Sequence, residues 1–149
     1  MKIHFKDIDE KNIEKVKNLK LKPGQEGFIE TIEDCLEEAR EYKEWHPVAI
    51  YNEDEVVGFA MYGHFDYGNW RTWIDRLLID EKHQGKGIGK TSMKKLVEVV
   101  SKEYEVDTIY LSIIGGNKVA YNLYTSVGFE DMNEIDPSNG ESMFIYTIK

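Results

Sequence analysis

The sequence has a single cysteine, Cys35, so an internal disulfide is excluded. It contains no apolar run near the roughly 20 residues that cross a bilayer as a helix, and its first residues, Met1-Lys2-Ile3-His4, do not resemble a signal peptide. Basic charge is scarce: 19 lysines and arginines stand against 28 acidic residues, for a formal net charge of -9. A nucleic-acid partner needs clustered lysine and arginine for its phosphates, so that class is not expected. The histidines, His4, His46, His64 and His83, are scattered without metal-ligand spacing, and Cys35 falls on the apolar face of a helical pattern. Neither a metal site nor a cysteine nucleophile follows from them. A soluble cytoplasmic protein, with neither membrane nor nucleic acid as partner, is the expectation.

What is present is enough for one folded domain over residues 1–149, with 41% hydrophobic residues to fill a core. Charge is unevenly placed. Residues 26–66 carry twelve acidic side chains against only Arg40 and Lys43, whereas residues 82–102 carry six lysines against only Glu98. One part of the chain suits a cation and another an anion.

Residues 1–9 alternate as a strand, and Asp9 can cap a short amphipathic helix over residues 10–20. After a break at residues 22–27, Phe28, Ile29, Ile32, Cys35, Leu36 and Ala39 recur at helical spacing up to about Tyr42. The opposite face carries Glu30, Glu33, Asp34, Glu37, Glu38 and Glu41, either a solvated acidic face or a surface for a cation. Residues 47–51 and 56–62 read as a hairpin, and residues 70–80 as a long fourth strand. Strict alternation there puts Trp73, Asp75, Leu77 and Ile79 on one face and Ile74, Arg76 and Leu78 on the other. Asp75 then sits among apolar neighbours, where a carboxylate is costly unless it is paired or used. Ile88, Met93, Leu96, Val97 and Val100 mark a helix to about Lys102, and residues 106–114 a fifth strand. Asn117 can cap a short helix stopped by Gly128, and residues 129–135 and 142–148 close the chain as a hairpin.

Between the fourth strand and the next helix lies Gln84-Gly85-Lys86-Gly87-Ile88-Gly89-Lys90. A strand, a glycine-rich loop and a helix start form a phosphate cradle, because glycines clear the backbone N–H groups and the helix end leaves donors unpaired. Gly89-Lys90-Thr91 matches the end of a nucleotide-triphosphate loop, but its first glycine position is Gln84. A dinucleotide fingerprint needs G-x-G-x-x-G, and the spacing here is G-x-G-x-G.

The pattern Gln/Arg-x-x-Gly-x-Gly/Ala, met by Gln84, Gly87 and Gly89, resembles the acetyl-coenzyme A pyrophosphate loop of the GNAT superfamily of N-acetyltransferases. The resemblance extends to Val57-Gly58-Phe59-Ala60-Met61-Tyr62 before the loop and to Asn117-x-x-Ala120-x-x-Leu123-Tyr124-x-x-x-Gly128-Phe129 after it. Within the superfamily, Cys35-Leu36-Glu37-Glu38-Ala39, His46-Pro47-Val48 and Trp73-Ile74-Asp75-Arg76-Leu77-Leu78-Ile79-Asp80 look most like the bacterial spermine/spermidine (diamine) acetyltransferases. The fold implied is α/β (α+β): one domain with a mixed, mostly antiparallel twisted sheet of about seven strands, four helices, and splayed fourth and fifth strands.

The resemblance implies acetyl-coenzyme A held by Gln84, Gly85, Lys86, Gly87, Ile88, Gly89 and Lys90, with the pantetheine arm along Leu77, Leu78 and Ile79 and contacts from Asn117 and Ala120. Tyr124 matches the family's general acid, and a phenol has a proton to give at neutral pH. Asp75, nine residues before Gln84, matches a carboxylate proposed as base, acting directly or through water; the alternative is a structural pair with Arg71 or Arg76. Glu30, Glu33, Asp34, Glu37 and Asp75 would attract a polyamine such as spermine or spermidine, with cation–π help from Trp45, Trp70 or Trp73. Direct acetyl transfer to a primary amine is the implied reaction, and a homodimer the implied assembly. Another amine, such as an aminoglycoside or a protein N-terminus, and a non-catalytic acyl-coenzyme A sensor remain alternatives.

Overall fold

The structure is a computed structural model and describes residues 1–21, 31–66, 70–137 and 139–148. Seven strands form one sheet in the order β1-β2-β3-β4-β5-β7-β6. They are β1 (Ile3–Asp7), β2 (Trp45–Asn52), β3 (Glu55–Asp66), β4 (Trp70–Ile79), β5 (Thr108–Ile113), β6 (Glu130–Ile135) and β7 (Ser142–Thr147). All neighbours pair antiparallel except β4 and β5, which run parallel. The four α-helices among the described residues are α1 (Ile13–Lys17), α2 (Ile32–Glu41), α3 (Ile88–Tyr104) and α4 (Lys118–Val127).

Alternation along the central strands feeds two cores, one on each face of the sheet. Val57, Ala60 and Tyr62 of β3 join Met93, Leu96, Val97 and Val100 of α3 in the larger core, which α4 borders through Leu123 and Tyr124. Phe59 and Met61 point the other way, to Val16 of α1 and to Ile32, Cys35 and Leu36 of α2. Each fully buried side chain of this size contributes about 2 kcal/mol of transfer free energy. Gly58 sits where β3 and β4 close tightly: a Cβ there would lie 2.4 Å from the Leu78 carbonyl oxygen.

The first helix is shorter than its apolar pattern suggests: Asp9 makes its capping bonds to the turn over residues 9–13 that precedes α1. Its Oδ1 accepts from the Lys11 and Asn12 N–H groups, while Asn12 returns bonds to the Asp9 N–H and the Asp7 carbonyl. That local turn spends the capping side chain before the helix begins at Ile13. In α2, Thr31 is the N-cap, its Oγ1 accepting from the Asp34 N–H at 3.1 Å.

The alternation expected of β4 breaks at Asp75. Met61 pairs with Arg76 but Tyr62 pairs with Ile74, so Asp75 is an extra residue, a β-bulge. Ile74 therefore shares the larger core with Leu77 and Ile79, and Leu78 faces the other core. Arg76 consequently does not project away from Asp75: both side chains line the same two cavities.

Candidate active site

Among the described residues, β4 and β5 share one register pair, Trp73↔Tyr110. Past it the strands stop pairing, and a cavity of about 300 Å³ opens, with Leu77, Leu78 and Ile79 on one side and Ser112 and Ile113 on the other. The end of β4 leads through a single 3-10 turn (Glu81–His83) into the glycine loop. There the Gln84 side chain donates from Nε2 to the Ile79 carbonyl at 2.8 Å, tying the loop to the strand end. Gly85 and Gly87 hold φ of +79° and +81°, in the left-handed region that L side chains rarely adopt, and a Cβ at either would meet nothing within 4 Å. The loop thus presents bare backbone to open space at the start of α3, a 17-residue helix whose N-cap makes no side-chain bond. That arrangement fits an anionic ligand such as a pyrophosphate.

The same cavity wall takes Gln84, Gly85, Gly87, Gly89 and Lys90 from the loop, Asn117, Ala120 and Tyr124 from the α4 region, and Asp75 from the bulge. Residues distant in sequence are so brought to one place. Two loop residues differ: Lys86 is exposed and outside the wall, and the Ile88 side chain is 3% exposed inside the larger core. Asn117 caps α4, accepting the Ala120 N–H at 3.1 Å through Oδ1. About two turns of α4 then place Tyr124 at the cavity, its ring against Phe129 at 6.1 Å. Burial pushes the Tyr124 phenol up to about 12, Arg76 pulling it down and Asp75 pushing it further up. The phenol is therefore protonated at neutral pH and able to give a proton.

A second cavity, of about 650 Å³, adjoins the first through Asp75, Arg76, Ser112 and Glu141, which line both. Its wall carries Glu38 of α2, Trp45, Phe65, Arg71 and Trp73, and Asp136 of the β6–β7 connection. Trp45 and Phe65 pack at 4.4 Å between centroids, and the Arg71 guanidinium lies 4.7 Å over the Tyr110 ring. Ser112 Oγ donates to Glu141 Oε1 at 3.2 Å. At the junction Arg76 Nη1 donates to the Asp75 carbonyl at 2.8 Å and stands 3.8 Å from its Oδ2. A chamber of carboxylates and aromatic rings suits an organic cation.

Of the acidic residues singled out in the sequence, Glu30 lies outside the described residues. Glu33, Asp34 and Glu37 are exposed on α2 and enter neither cavity wall. Ile32, Cys35 and Leu36 set the buried stripe of that helix, and Glu38, at its border, is the acidic residue that reaches the chamber. Sequence reasoning weighed Arg71 and Arg76 only as structural partners of Asp75, and it passed over Ser112, Asp136 and Glu141. The acidic composition of the last connection was the one available signal for two of them.

The model of the Acetyltransferase (GNAT) family matches residues 13–129. The spermine/spermidine N(1)-acetyltransferase of Bacillus subtilis (strain 168) is 39% identical over 150 residues, covering 97% of this chain and 98% of that protein. Among solved structures, an aminoglycoside acetyltransferase AAC(6')-Ib in complex with coenzyme A superposes with a TM-score of 0.79 at 19% identity, covering 98% of this chain and 95% of that one. Spermidine N-acetyltransferase from Vibrio cholerae, in complex with coenzyme A and spermine, superposes with a TM-score of 0.72 at 14% identity, covering 96% and 92%. At these identities the structural likeness establishes the fold alone.

Proposed function

The chain belongs to the GNAT acetyltransferase family, and on that premise we propose that it is an acetyl-coenzyme A-dependent N-acetyltransferase of polyamines, with one N-acetyltransferase domain over residues 1–149. The observation that carries this reading is the meeting of two unlike cavities at Asp75. One is bordered by a bare glycine loop at a helix start, the other by carboxylates and aromatic rings. Full-length similarity to a spermine/spermidine N(1)-acetyltransferase supports the same acceptor class. When bound, acetyl-coenzyme A supplies an acetyl thioester, whose C–S bond is exchanged for the C–N bond of the product amide.

The chain's own residues bind, orient and move protons. Backbone N–H groups of Gly85 to Lys90 hold the pyrophosphate, with charge from Lys86 and Lys90. Leu77, Leu78 and Ile79 offer a strand edge past the last β4–β5 pair, and Asn117 and Ala120 flank the arm. Asp75 accepts the proton that the attacking amine releases, directly or through water, and Tyr124 gives a proton to the departing sulfur. One proton thus passes from nitrogen to sulfur per turnover, and both side chains return to their starting states through solvent. Glu38, Asp136 and Glu141 receive the substrate's remaining charges, while Glu30, Glu33, Asp34 and Glu37 attract the polycation from outside.

We place the protein in the cytoplasm as a homodimer acting on free polyamine. The net charge of -9 favours a cationic small molecule over nucleic acid, and no described helix is long and apolar enough to cross a membrane. The test is thiol release from acetyl-coenzyme A against a panel of amines. Spermidine and spermine should be turned over well above aminoglycosides and peptide N-termini, and no turnover with any polyamine or diamine would overturn the reading.

A further inference from the structure

A positive charge inside the acceptor site of a polycation calls for an explanation. Arg76 reaches both cavities, its side chain is 15% exposed, and a guanidinium stays protonated at any working pH. The bulge at Asp75 sets the two residues side by side, so at the junction the Arg76 guanidinium directly faces the Asp75 carboxylate, with Glu141 a second carboxylate that lines both cavities. The charged and titratable groups around it are Arg71 and Asp75 of β4, Glu38 of α2, Lys90 of α3, Tyr124 of α4, and Asp136 and Glu141 of the β6–β7 connection. Glu38 and Asp136 line the second cavity alone. Arg71 lines it too. At the junction the Arg76 guanidinium offsets Asp75, the carboxylate beside it, while the other carboxylate, Glu141, accepts from Ser112 Oγ.

That distribution meets a specific chemical need. An alkylamine has a pKa near that of lysine, about 10.4, so fewer than about one molecule in a thousand is neutral at pH 7. Only the neutral amine has a lone pair with which to attack a carbonyl. A lone carboxylate beside it would hold it protonated, while a neighbouring fixed cation favours the neutral form. At the far end of the substrate the need is reversed, since the other nitrogens bind best as ammonium groups.

We propose that Arg76 is a specificity-determining residue of the acceptor site, its fixed charge offsetting Asp75 so that the amine at the acetyl-transfer point is held neutral while the protonated remainder of the polyamine lies among Glu38 and Asp136. The proposal rests on the polyamine N-acetyltransferase reading above. Arg76 also keeps the Tyr124 phenol lower than Asp75 and burial alone would leave it.

The experiment is the pH profile of kcat/KM for spermidine with the wild type, Arg76→Gln and Arg76→Lys, with coenzyme A binding by calorimetry and melting temperature as checks of folding. Loss of the charge should lower kcat/KM about tenfold at pH 7, shift the rising limb of the profile about one unit alkaline, and let activity recover at high pH. Arg76→Lys should keep most of the wild-type profile, and all three proteins should still bind coenzyme A and melt in one transition. A Gln variant with the wild-type profile, or one equally impaired at every pH, would overturn the role of Arg76 and leave the polyamine reading standing. Wild-type protein inert towards spermidine and spermine would instead overturn both.

Discussion

The loop from Gln84 to Lys90 takes its shape from neighbouring residues, whereas the second cavity takes its wall from α2, β2, β3, β4, β5, β7 and the β6–β7 connection. The first is a backbone device: two glycines at positive φ and a helix start. The second is a side-chain device, in which Glu38, Asp75, Arg76, Asp136 and Glu141 converge only after the sheet has formed. A backbone site recognises what every family member binds, and a side-chain site can be retuned by single substitutions without disturbing the cradle.

The largest effect should come in the cofactor half, at the side chain proposed to protonate the leaving sulfur. Tyr124→Phe removes the proposed proton donor and should lower kcat by about 10²- to 10⁴-fold, with coenzyme A affinity retained in calorimetry. Substitution within the cradle should affect one half only. Gly87→Ala forces an L side chain to a φ of +81° where space is open but the backbone is strained, at a cost of about 1–2 kcal/mol. Coenzyme A should bind about tenfold more weakly or worse, with the KM for spermidine little changed.

The smallest effect should come from a region outside both cavities. His46 bonds to Asp7 at 2.6 Å and to Glu103 at 3.2 Å, and Tyr62 donates to the same Glu103 at 2.9 Å. Burial pulls the His46 pKa down, but the hydrogen bonds and charges of Asp7 and Glu103 outweigh it and leave the value raised. A raised folded-state pKa contributes stability that is complete below the unfolded value of about 6.5 and is lost as pH rises through the folded one. The melting temperature should therefore fall across that window in the wild type and less in His46→Gln, with both KM values unchanged.

How much was legible in the sequence follows the same division. The cradle, the order of elements and the helix cap at Asn117 depend on residues a few positions apart, and turn and cap chemistry expresses them locally. The bulge at Asp75 is not local, because it is defined by the pairing of β4 with β3, and strict alternation wrongly grouped Ile74 with Leu78 and set Asp75 apart from Arg76. Glu141 and Ser112 meet because β7 inserts between β5 and β6 in the sheet, an adjacency that no spacing encodes. Glu33, Asp34 and Glu37 differ from Glu38 only by their angle around α2, which matters once the position of that helix on the sheet is known.

The division itself is tested most directly by the two Michaelis constants of the double variant Glu38→Gln/Asp136→Asn, measured at low ionic strength. Two carboxylates lost from the chamber should raise the KM for spermidine about tenfold or more and leave the KM for acetyl-coenzyme A unchanged. Both constants rising together, or neither moving, would contradict separate cofactor and amine halves that meet at Asp75 and Arg76.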